Sequence, residues 1–410
     1  MSPSLQQIDV LNHRLPLTLA SFFRGFLPPV GPVSGCASIR LTILKALLYY
    51  GLNVLAILGP RTFLYRLALL PLTLFMAYRA MVSLDFARGF LSTDAGRLEY
   101  LNQAMVLTMF TVMTRSLVRT FSSQTPQRCR EPSQQLALDA ADLTFNLRGV
   151  GWNFSASMRV PAPTRSLAPT SAYLVATGKS LAIHIVAFDF LHYFGQLLDP
   201  QTVGIYDTTI SDPLLRNLRA IVQTLIVGLC IYCAIHIGHD VFSVIGITLL
   251  GQSPSQWPPI FDAPWLATSL TEFWAARWHQ IFRQEFLALG AKPLSLVAGR
   301  PGGVLGAFLA SGTLHFVGLW GMGKGTDIRV IYFFLMMGVG VVLEGFWRRF
   351  TGRRVGGWMG WVWSCVWLVG CGPLMADPWC LSGIMHSVFL PPIVRPSVWL
   401  HKLATSILHS

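Results

Sequence analysis

The stretch VLGAFLASGTLHFVGLW, residues 304–320, decides the fold class of this chain. It is apolar throughout except for Ser311, Thr313 and His315. A helix needs about 20 mainly apolar residues to cross the hydrocarbon core of a bilayer, and the chain holds further stretches of this kind. They lie at residues 41–58, 63–83, 98–114, 172–194, 217–238, 328–346, 355–375 and 380–400. The sequence therefore predicts an all-α polytopic membrane protein with about eight or nine transmembrane helices.

The composition favours a membrane protein over a soluble one. Of the 410 residues, 53% are hydrophobic and only 12% are charged, whereas soluble domains carry about 25% charged residues. Two other apolar stretches fit no simple span. Residues 15–33 are broken by prolines, which suggests a re-entrant or interfacial piece, and residues 241–250 are too short to span alone. We expect residues 1–410 to form a single membrane-embedded domain.

The positive charge is concentrated in three connections between apolar stretches. The net charge is +13, and the basic connections are residues 115–170, 251–302 and 347–354. Two predicted spans separate each connection from the next, so all three fall on one face of the membrane. The positive-inside rule makes that face cytosolic. The charge therefore indicates membrane orientation rather than nucleic-acid binding, and it also allows some arginines to hold an anionic substrate.

The segment FWAARWHQIFR, residues 273–283, has the pattern of an amphipathic helix near the membrane face. As a helix it would present two different faces. Trp274, Arg277, Trp278, Ile281 and Glu285 would share one face, and His279, Phe282, Arg283 and Phe286 another. Arginine pairs well with phosphate, so the segment is a candidate binding site. The alternative is an interfacial anchor whose tryptophans lie at headgroup level.

His315 is the second candidate for chemistry, because it is an ionisable residue at membrane depth. Such residues are usually functional or paired inside the helix bundle. Ser311 lies one turn earlier on the same helical face. An apolar setting disfavours the charged imidazole, which suits a general base. The alternative is a packing histidine whose polar atoms are satisfied by neighbours.

These segments resemble the signature pieces of a known family. The dipeptide Phe-Trp at 273–274, Arg-Trp-His at 277–279 and Ser-Gly-Thr-Leu-His at 311–315 are similar to motifs of the membrane-bound O-acyltransferase superfamily, and most similar to its fungal wax-synthase-like acyltransferases. Arg-Gly-Val-Gly-Trp at 148–152 resembles a further recurring piece. The resemblance covers about residues 145–320. It departs from the family at Ala275-Ala276, where Gly-Arg or Arg-Arg is common, and at position 279, where many members have Asn.

The resemblance implies transfer of an acyl group from acyl-CoA to an alcohol. His315 would accept the hydroxyl proton, and His279 would stabilise the oxyanion of the tetrahedral intermediate. The resemblance also implies a set of residues that contact substrate or CoA: Arg148, Trp152, Trp274, Arg277, Trp278, Arg283 and Ser311. The expected co-substrate is acyl-CoA, with acetyl-CoA favoured, and no metal or nucleic acid is expected.

The branch of the family that the chain resembles implies more about the substrate. Such fungal enzymes often modify terpenoids, meroterpenoids or trichothecene-like secondary metabolites. We therefore expect O-acetylation of a lipophilic alcohol that reaches the site from membrane lipid, in the endoplasmic reticulum membrane. A wax-ester synthase that uses long-chain acyl-CoA and a fatty alcohol remains an alternative, and a membrane transporter is a second one.

Other enzyme classes fit the sequence less well. A membrane di-iron desaturase or hydroxylase is suggested by His184, His192, His236 and His239-Asp240, but that class uses adjacent His pairs and the chain has none. We interpret these histidines as polar packing or helix-end contacts. A prenyltransferase would need a second Asp-rich motif besides the pair Asp139 and Asp142.

Overall fold

The computed structural model describes residues 35–83, 98–129, 135–156, 158–199, 203–323 and 325–408. The described residues form helices and connecting turns without a β-sheet. The longer helices are α1 (Gly35–Ile57), α2 (Phe63–Ser83), α3 (Glu99–Phe121), α4 (Leu136–Phe145), α5 (Thr170–Leu198), α6 (Pro213–Leu250), α7 (Lys292–Trp320), α8 (Arg329–Thr351), α9 (Gly357–Cys371), α10 (Pro373–Leu381) and α11 (Pro396–Leu408). The proline-broken stretch 15–33 lies outside the described residues. The prediction of an all-α membrane protein is confirmed.

The predicted number of spans is slightly too high. Six helical segments among the described residues are long and apolar enough to cross a membrane: Pro60–Val82, Thr170–Leu198, Pro213–Leu250, Arg283–Trp320, Arg329–Thr351 and Gly357–Leu381. The predicted span 41–58 contributes only the shorter apolar helix Ala46–Ile57. The predicted span 98–114 does form α3, but α3 is not among the six. Arg115 and Arg119 belong to α3 and are buried, so the connection that was predicted to begin at residue 115 begins after this helix.

The predicted span 380–400 is wrong. The chain leaves the helical conformation at Gly383, which has a left-handed φ of 86°. Two short 3-10 turns follow, Ile384–His386 and Pro392–Val394, before α11 begins at Pro396. Proline has no backbone N–H and clashes with the preceding turn, so the prolines in this stretch prevent a continuous helix.

The fragment 241–250 is the C-terminal part of α6 and not a separate element. The 38-residue helix runs without a break from Pro213 to Leu250. Its start is capped by the Asp212 carboxylate, which accepts a hydrogen bond from the backbone N–H of Leu214 at 2.8 Å. It ends at Gly251, whose φ of 63° is a left-handed cap. The prolines and polar residues after position 251 then lead into the first candidate motif.

Two glycines let α7 and α8 approach each other closely. A Cβ atom on Gly312 would lie 3.1 Å from Cα of Ile331, and one on Gly338 would lie 3.1 Å from side-chain atoms of Leu305 and Phe308. Small residues at helix interfaces allow such close backbone packing in membranes. This contact fixes the helix that carries His315 against the aromatic face of α8.

Candidate active site

His315 has one ring nitrogen engaged and the other free. Its Nδ1 lies 2.9 Å from the backbone carbonyl oxygen of Ser311. A carbonyl oxygen only accepts hydrogen bonds, so this contact places the proton on Nδ1 and a lone pair on Nε2. Among the described residues, the hydrogen bond of this ring is made by Nδ1 and none by Nε2. Ser311, predicted to contact substrate, is itself buried and orients the base through its backbone. The half-buried imidazole is thus arranged to accept a proton.

The prediction of a continuous helix over residues 273–283 is wrong. Residues Phe273–Arg277 form a π-helical turn, and Trp278 is extended, with φ −81° and ψ 147°. The backbone N–H of Trp278 donates to the carbonyl of Phe273 at 2.7 Å, which closes the wide turn. π-Helical turns are frequent at functional sites. The two helical faces inferred from the sequence therefore do not exist.

Internal hydrogen bonds hold this irregular backbone in place. The Gln280 side chain donates at 2.8 Å to the carbonyls of both Trp274 and Trp278. These carbonyls would otherwise lack helical partners, and buried backbone groups must be paired. The amide therefore replaces the backbone hydrogen bonds that the break removes.

A buried carboxylate of α8 fixes the start of the motif. Glu344 is 6% exposed. It accepts hydrogen bonds from the backbone N–H groups of Leu270 and Thr271 at 2.6 and 2.9 Å, and from the Thr271 hydroxyl at 2.6 Å. The indole of Trp363 on α9 donates to it at 3.0 Å. Our sequence analysis missed this residue, although an acidic side chain inside an apolar helix is itself a signal of function or pairing.

Aromatic rings connect the two candidate histidines. The ring of His279 lies 5.7 Å from that of Trp278, and Trp278 lies 6.2 Å from Trp274. Trp274 in turn lies 6.2 Å from Phe334, whose ring is 4.5 Å from His315. The indole N–H of Trp274 is enclosed and has no partner in the described part of the chain. The structure thus brings both sequence motifs to one aromatic-lined region.

His279 is neutral in the folded protein. Burial, together with the nearby charges of His315 and Arg148, lowers the pKa of His279 to about 3. Its Nδ1 is enclosed without a hydrogen-bond partner among the described residues. A neutral imidazole has a single N–H. His279 can therefore donate one hydrogen bond but offers no positive charge.

The low pKa of His279 predicts that acid destabilises the fold through this residue. The unfolded histidine binds a proton below about pH 6.5 while the folded one stays neutral down to about pH 3, so stability is lost as the pH falls through 6.5. We expect the unfolding temperature to fall more between about pH 7.5 and about pH 5 in the wild type than in His279→Asn, by roughly 2–4 °C. Thermal unfolding in detergent measures this, and equal falls in both proteins would contradict the burial of the ring.

The three candidate arginines differ in how many of their N–H donors remain free to bind a ligand. Arg277 donates to the Glu272 carboxylate and to the backbone carbonyl of Asp262, both at 2.7 Å. Arg148 donates to the carbonyls of Pro258 and Pro259 at 2.6 and 2.9 Å. Burial lowers the pKa of Arg148 to about 10, so it remains charged.

Arg277 and Arg148 therefore tie the proline-rich segment to the rest of the site. Arg283 differs from both, because its half-buried guanidinium has no hydrogen bond or ion pair within the described ranges. Of the three, it has the most capacity for an external anion.

One family model and several curated relatives match parts of the chain. The model of the "Membrane bound O-acyl transferase family" matches residues 257–336, which include His279 and His315. The chain is 30% identical over 180 residues to acetyltransferase spyB of Aspergillus fumigatus, and 29% identical over 187 residues to acetyltransferase TRI7 of Fusarium sporotrichioides. It is 25% identical over 282 residues to O-Mevalon transferase yanI of Aspergillus niger.

The chain is similar to members of the membrane-bound O-acyltransferase family over this part of its length. The alignments with these three relatives cover 36%, 39% and 58% of this chain. They cover 30%, 40% and 60% of the relatives, so the chain spans less than two thirds of the length of each.

The segment 148–152 has a structural role. Trp152 is 2% exposed, and its indole N–H donates to Asp142 at 2.7 Å. Gly149 has a left-handed φ of 66°, and a Cβ at this position would collide with the ring of Phe154. Trp152, predicted to contact substrate or CoA, therefore presents no free surface to a ligand.

One cluster in the described part of the chain has the ligand types of a metal site. Ligand atoms of His184, His236 and Asp240 all lie within 4.8 Å of one another. However, the guanidinium of Arg165 lies 2.8 Å from Asp240, and the Ser180 hydroxyl donates to Asp240 at 2.6 Å. Because the arginine already neutralises the carboxylate, we interpret the group as a polar cluster between α5 and α6. That the reaction needs no metal stays a prediction.

Proposed function

We propose that this protein transfers an acyl group, by preference acetyl, from acyl-CoA to a hydroxyl of a lipophilic secondary metabolite such as a terpenoid or meroterpenoid. The observation that carries the proposal is that His315 bonds through Nδ1 and leaves Nε2 without a hydrogen bond, in the segment that matches the family. The names of two relatives, acetyltransferases, support the acetyl donor. The third name, an O-mevalon transferase, supports an oxygen acceptor and allows a different acyl group.

The chemistry follows from the arrangement of the two histidines. Nε2 of His315 accepts the proton of the alcohol as its oxygen attacks the thioester carbonyl. A new carbon–oxygen bond forms, and the carbonyl oxygen becomes an oxyanion that the N–H of His279 stabilises. The carbon–sulfur bond then breaks and CoA leaves as a thiolate, which takes up the proton from His315. Trp274 and Trp278 line the apolar region between the two rings.

The proposal also includes the orientation of the chain in the membrane and the membrane in which it lies. The six apolar helical segments make the chain a multi-pass membrane protein. We infer that the connections bearing the motifs face the cytosol, where acyl-CoA is available, and that the membrane is that of the endoplasmic reticulum. The acceptor enters from the lipid phase, because an apolar alcohol partitions there. Residues 1–410 act as one domain in this proposal.

A thiol-release assay tests the proposed reaction. The full chain, purified in detergent, is supplied with acetyl-CoA and a panel of hydroxylated terpenoids, while free CoA is followed colorimetrically and products are weighed by mass spectrometry. We expect CoA release that depends on the alcohol and a product that has gained one acetyl group. A preference for palmitoyl-CoA with hexadecanol would instead support the wax-ester alternative. Absence of alcohol-dependent CoA release with every donor would refute the proposal.

Arg283 is the residue that we expect to bind the phosphates of CoA. A hydrogen bond to a charged group contributes about 1.5–3 kcal/mol, and partial exposure of the guanidinium reduces this value through solvent screening. Arg283→Ala is therefore expected to raise the KM for acetyl-CoA about tenfold with little change in kcat. Arg300→Ala, at an exposed position nearby in the chain, is the matched control. A KM unchanged by Arg283→Ala would remove Arg283 from the CoA site.

A further inference from the structure

An apolar cavity lies between α3, the segment 282–289 and α7. Its volume is about 170 Å³. Most of its lining is hydrophobic: Phe110, Phe282, Phe286, Leu289 and Leu314. His315 is not part of this lining, and its ring contacts Phe334 and Trp379 instead. The cavity is therefore separate from the catalytic imidazole, although it borders the same helix.

A buried carboxylate that accepts no hydrogen bond faces this cavity. Glu285 is 4% exposed and lines the cavity wall. Both of its carboxylate oxygens are enclosed, and neither has a hydrogen bond within the described ranges. An enclosed acceptor without a donor is costly. Such a group in an apolar cavity indicates that a donor is supplied from outside the chain.

Arg115 is the ion-pair partner of this carboxylate. Arg115 is 2% exposed, and its two Nη groups donate to three backbone carbonyls of the segment 143–147. Its Nε–H has no hydrogen-bond partner in the described part of the chain. Nε lies 3.6 Å from Oε1 of Glu285, beyond hydrogen-bond length. The ion pair thus compensates the charge of Glu285 and leaves its carboxylate oxygens able to accept a hydrogen bond from the cavity.

The threonines of the cavity do not satisfy Glu285. Thr111 donates its hydroxyl hydrogen to the carbonyl of Leu107 at 2.7 Å, and Thr313 donates to Leu309 at 2.9 Å. Thr114 also donates to carbonyls of its own helix. A hydroxyl has a single hydrogen. The three side chains therefore add acceptors to the wall and no donor.

We propose that this cavity binds a lipophilic alcohol, whose hydroxyl donates a hydrogen bond to Glu285. A hydroxyl can donate and carries no charge, so it matches a carboxylate that is already ion-paired with Arg115, where an anion or a hydrocarbon does not. A cavity of about 150 Å³ can hold a benzene-sized molecule, so this one takes the hydroxyl-bearing end of a larger ligand. The ligand is a membrane sterol, or an acceptor substrate that is held here apart from His315 before it reacts. The acceptor identity rests on the proposed function, whereas the alcohol site itself does not.

Binding of radiolabelled farnesol, a sesquiterpene alcohol, tests the site in the absence of acyl-CoA. The full chain with His315→Ala is used, so that no turnover occurs. We expect saturable binding that unlabelled farnesol displaces and the hydrocarbon farnesene does not. Adding Thr313→Phe fills the cavity and is expected to weaken farnesol binding at least tenfold. Thr108→Phe is the matched control, because Thr108 also donates to its own helix but does not line the cavity.

A second variant tests the polar pair. Glu285→Leu removes the acceptors and is expected to weaken farnesol binding about tenfold or more, provided that its elution on size exclusion matches the parent. If it misfolds, the Thr313→Phe result decides alone. Farnesol affinity within twofold of the parent in Thr313→Phe would overturn the proposal. Displacement of farnesol by ergosterol would identify a sterol as a ligand, and lack of displacement would favour the acceptor.

Failure of the site and failure of the proposed function give different results. Farnesol binding that is sensitive to Thr313→Phe, in a protein that releases no CoA, would leave the site standing and refute the reaction. Alcohol-dependent release of CoA, together with farnesol binding that Thr313→Phe does not change, would support the reaction and refute the site.

Discussion

Replacing His315 by alanine should reduce alcohol-dependent CoA release by about 100- to 10,000-fold, the usual range for loss of a general base. The expectation rests on the position of the ring protons. Nδ1–H is held by the carbonyl of Ser311, so Nε2 is available to take the hydroxyl proton. The KM for acetyl-CoA should change little, because the base is not placed at the phosphates. Initial rates over a range of acetyl-CoA concentrations measure both quantities.

The control for this variant is His401→Ala. His401 is an exposed histidine on α11, far along the chain from both motifs, and its replacement should leave the rate near that of the wild type. Equal expression and size-exclusion profiles show that both variants are folded. A His315→Ala protein with more than a tenth of wild-type kcat would contradict the role of this residue as base. His279→Asn should retain part of the activity, because asparagine also has an N–H donor.

Hydrophobic patterning was sufficient to predict the fold class, because a membrane helix is specified by local composition. It also predicted the positions of α5, α8 and the C-terminal half of α7, whose bounds differ from the predicted spans by a few residues. It failed at residues 380–400, where prolines outweigh the apolar character of the stretch. Apolar composition also did not predict that α6 would continue through residues 241–250.

The candidate site was predictable as a set of residues but not as a geometry. The spacing of FWAARWHQIFR favours a helix, and only tertiary partners reveal the break at Trp278. Gln280 pairs the freed carbonyls, and Glu344 holds the preceding turn from a different helix. Local helix propensity contains no information about such long-range hydrogen bonds.

Long-range pairing also decided which charged residues are available. Arg277 was predicted to bind CoA, but Glu272 and the backbone of Asp262 occupy most of its donors. We therefore regard Arg277 as a positioning residue for the motif. Glu285 and Arg115 lie 170 positions apart in the sequence, and nothing in either local pattern predicts that they meet. The sequence signal that could be used for charged residues was an ionisable side chain within an apolar helix. This signal applies to Glu344 as well as to His315.

Replacing Glu344 by alanine should destabilise the protein by about 3 kcal/mol or more, which is the largest stability effect that we expect from a single substitution. The change leaves two backbone N–H groups and the Trp363 indole buried without an acceptor, at about 1–3 kcal/mol for each unsatisfied group. It also releases the turn at residues 270–272 that leads into the π-helical segment. Activity should therefore fall together with the unfolding temperature.

Two further variants separate the buried hydrogen bonds from general effects on α8. Glu344→Gln keeps one acceptor oxygen in the same shape and should lose less stability than Glu344→Ala. Arg349→Ala, at an exposed position near the end of the same helix, should leave the unfolding temperature nearly unchanged. Thermal unfolding followed by fluorescence-detected size exclusion measures all three. If Glu344→Ala unfolds at the wild-type temperature, the donors that it leaves behind must find other partners, and the turn at residues 270–272 does not depend on α8. The order Arg349→Ala, Glu344→Gln, Glu344→Ala in decreasing stability would show that the carboxylate fixes the motif through its acceptors and not through its charge alone.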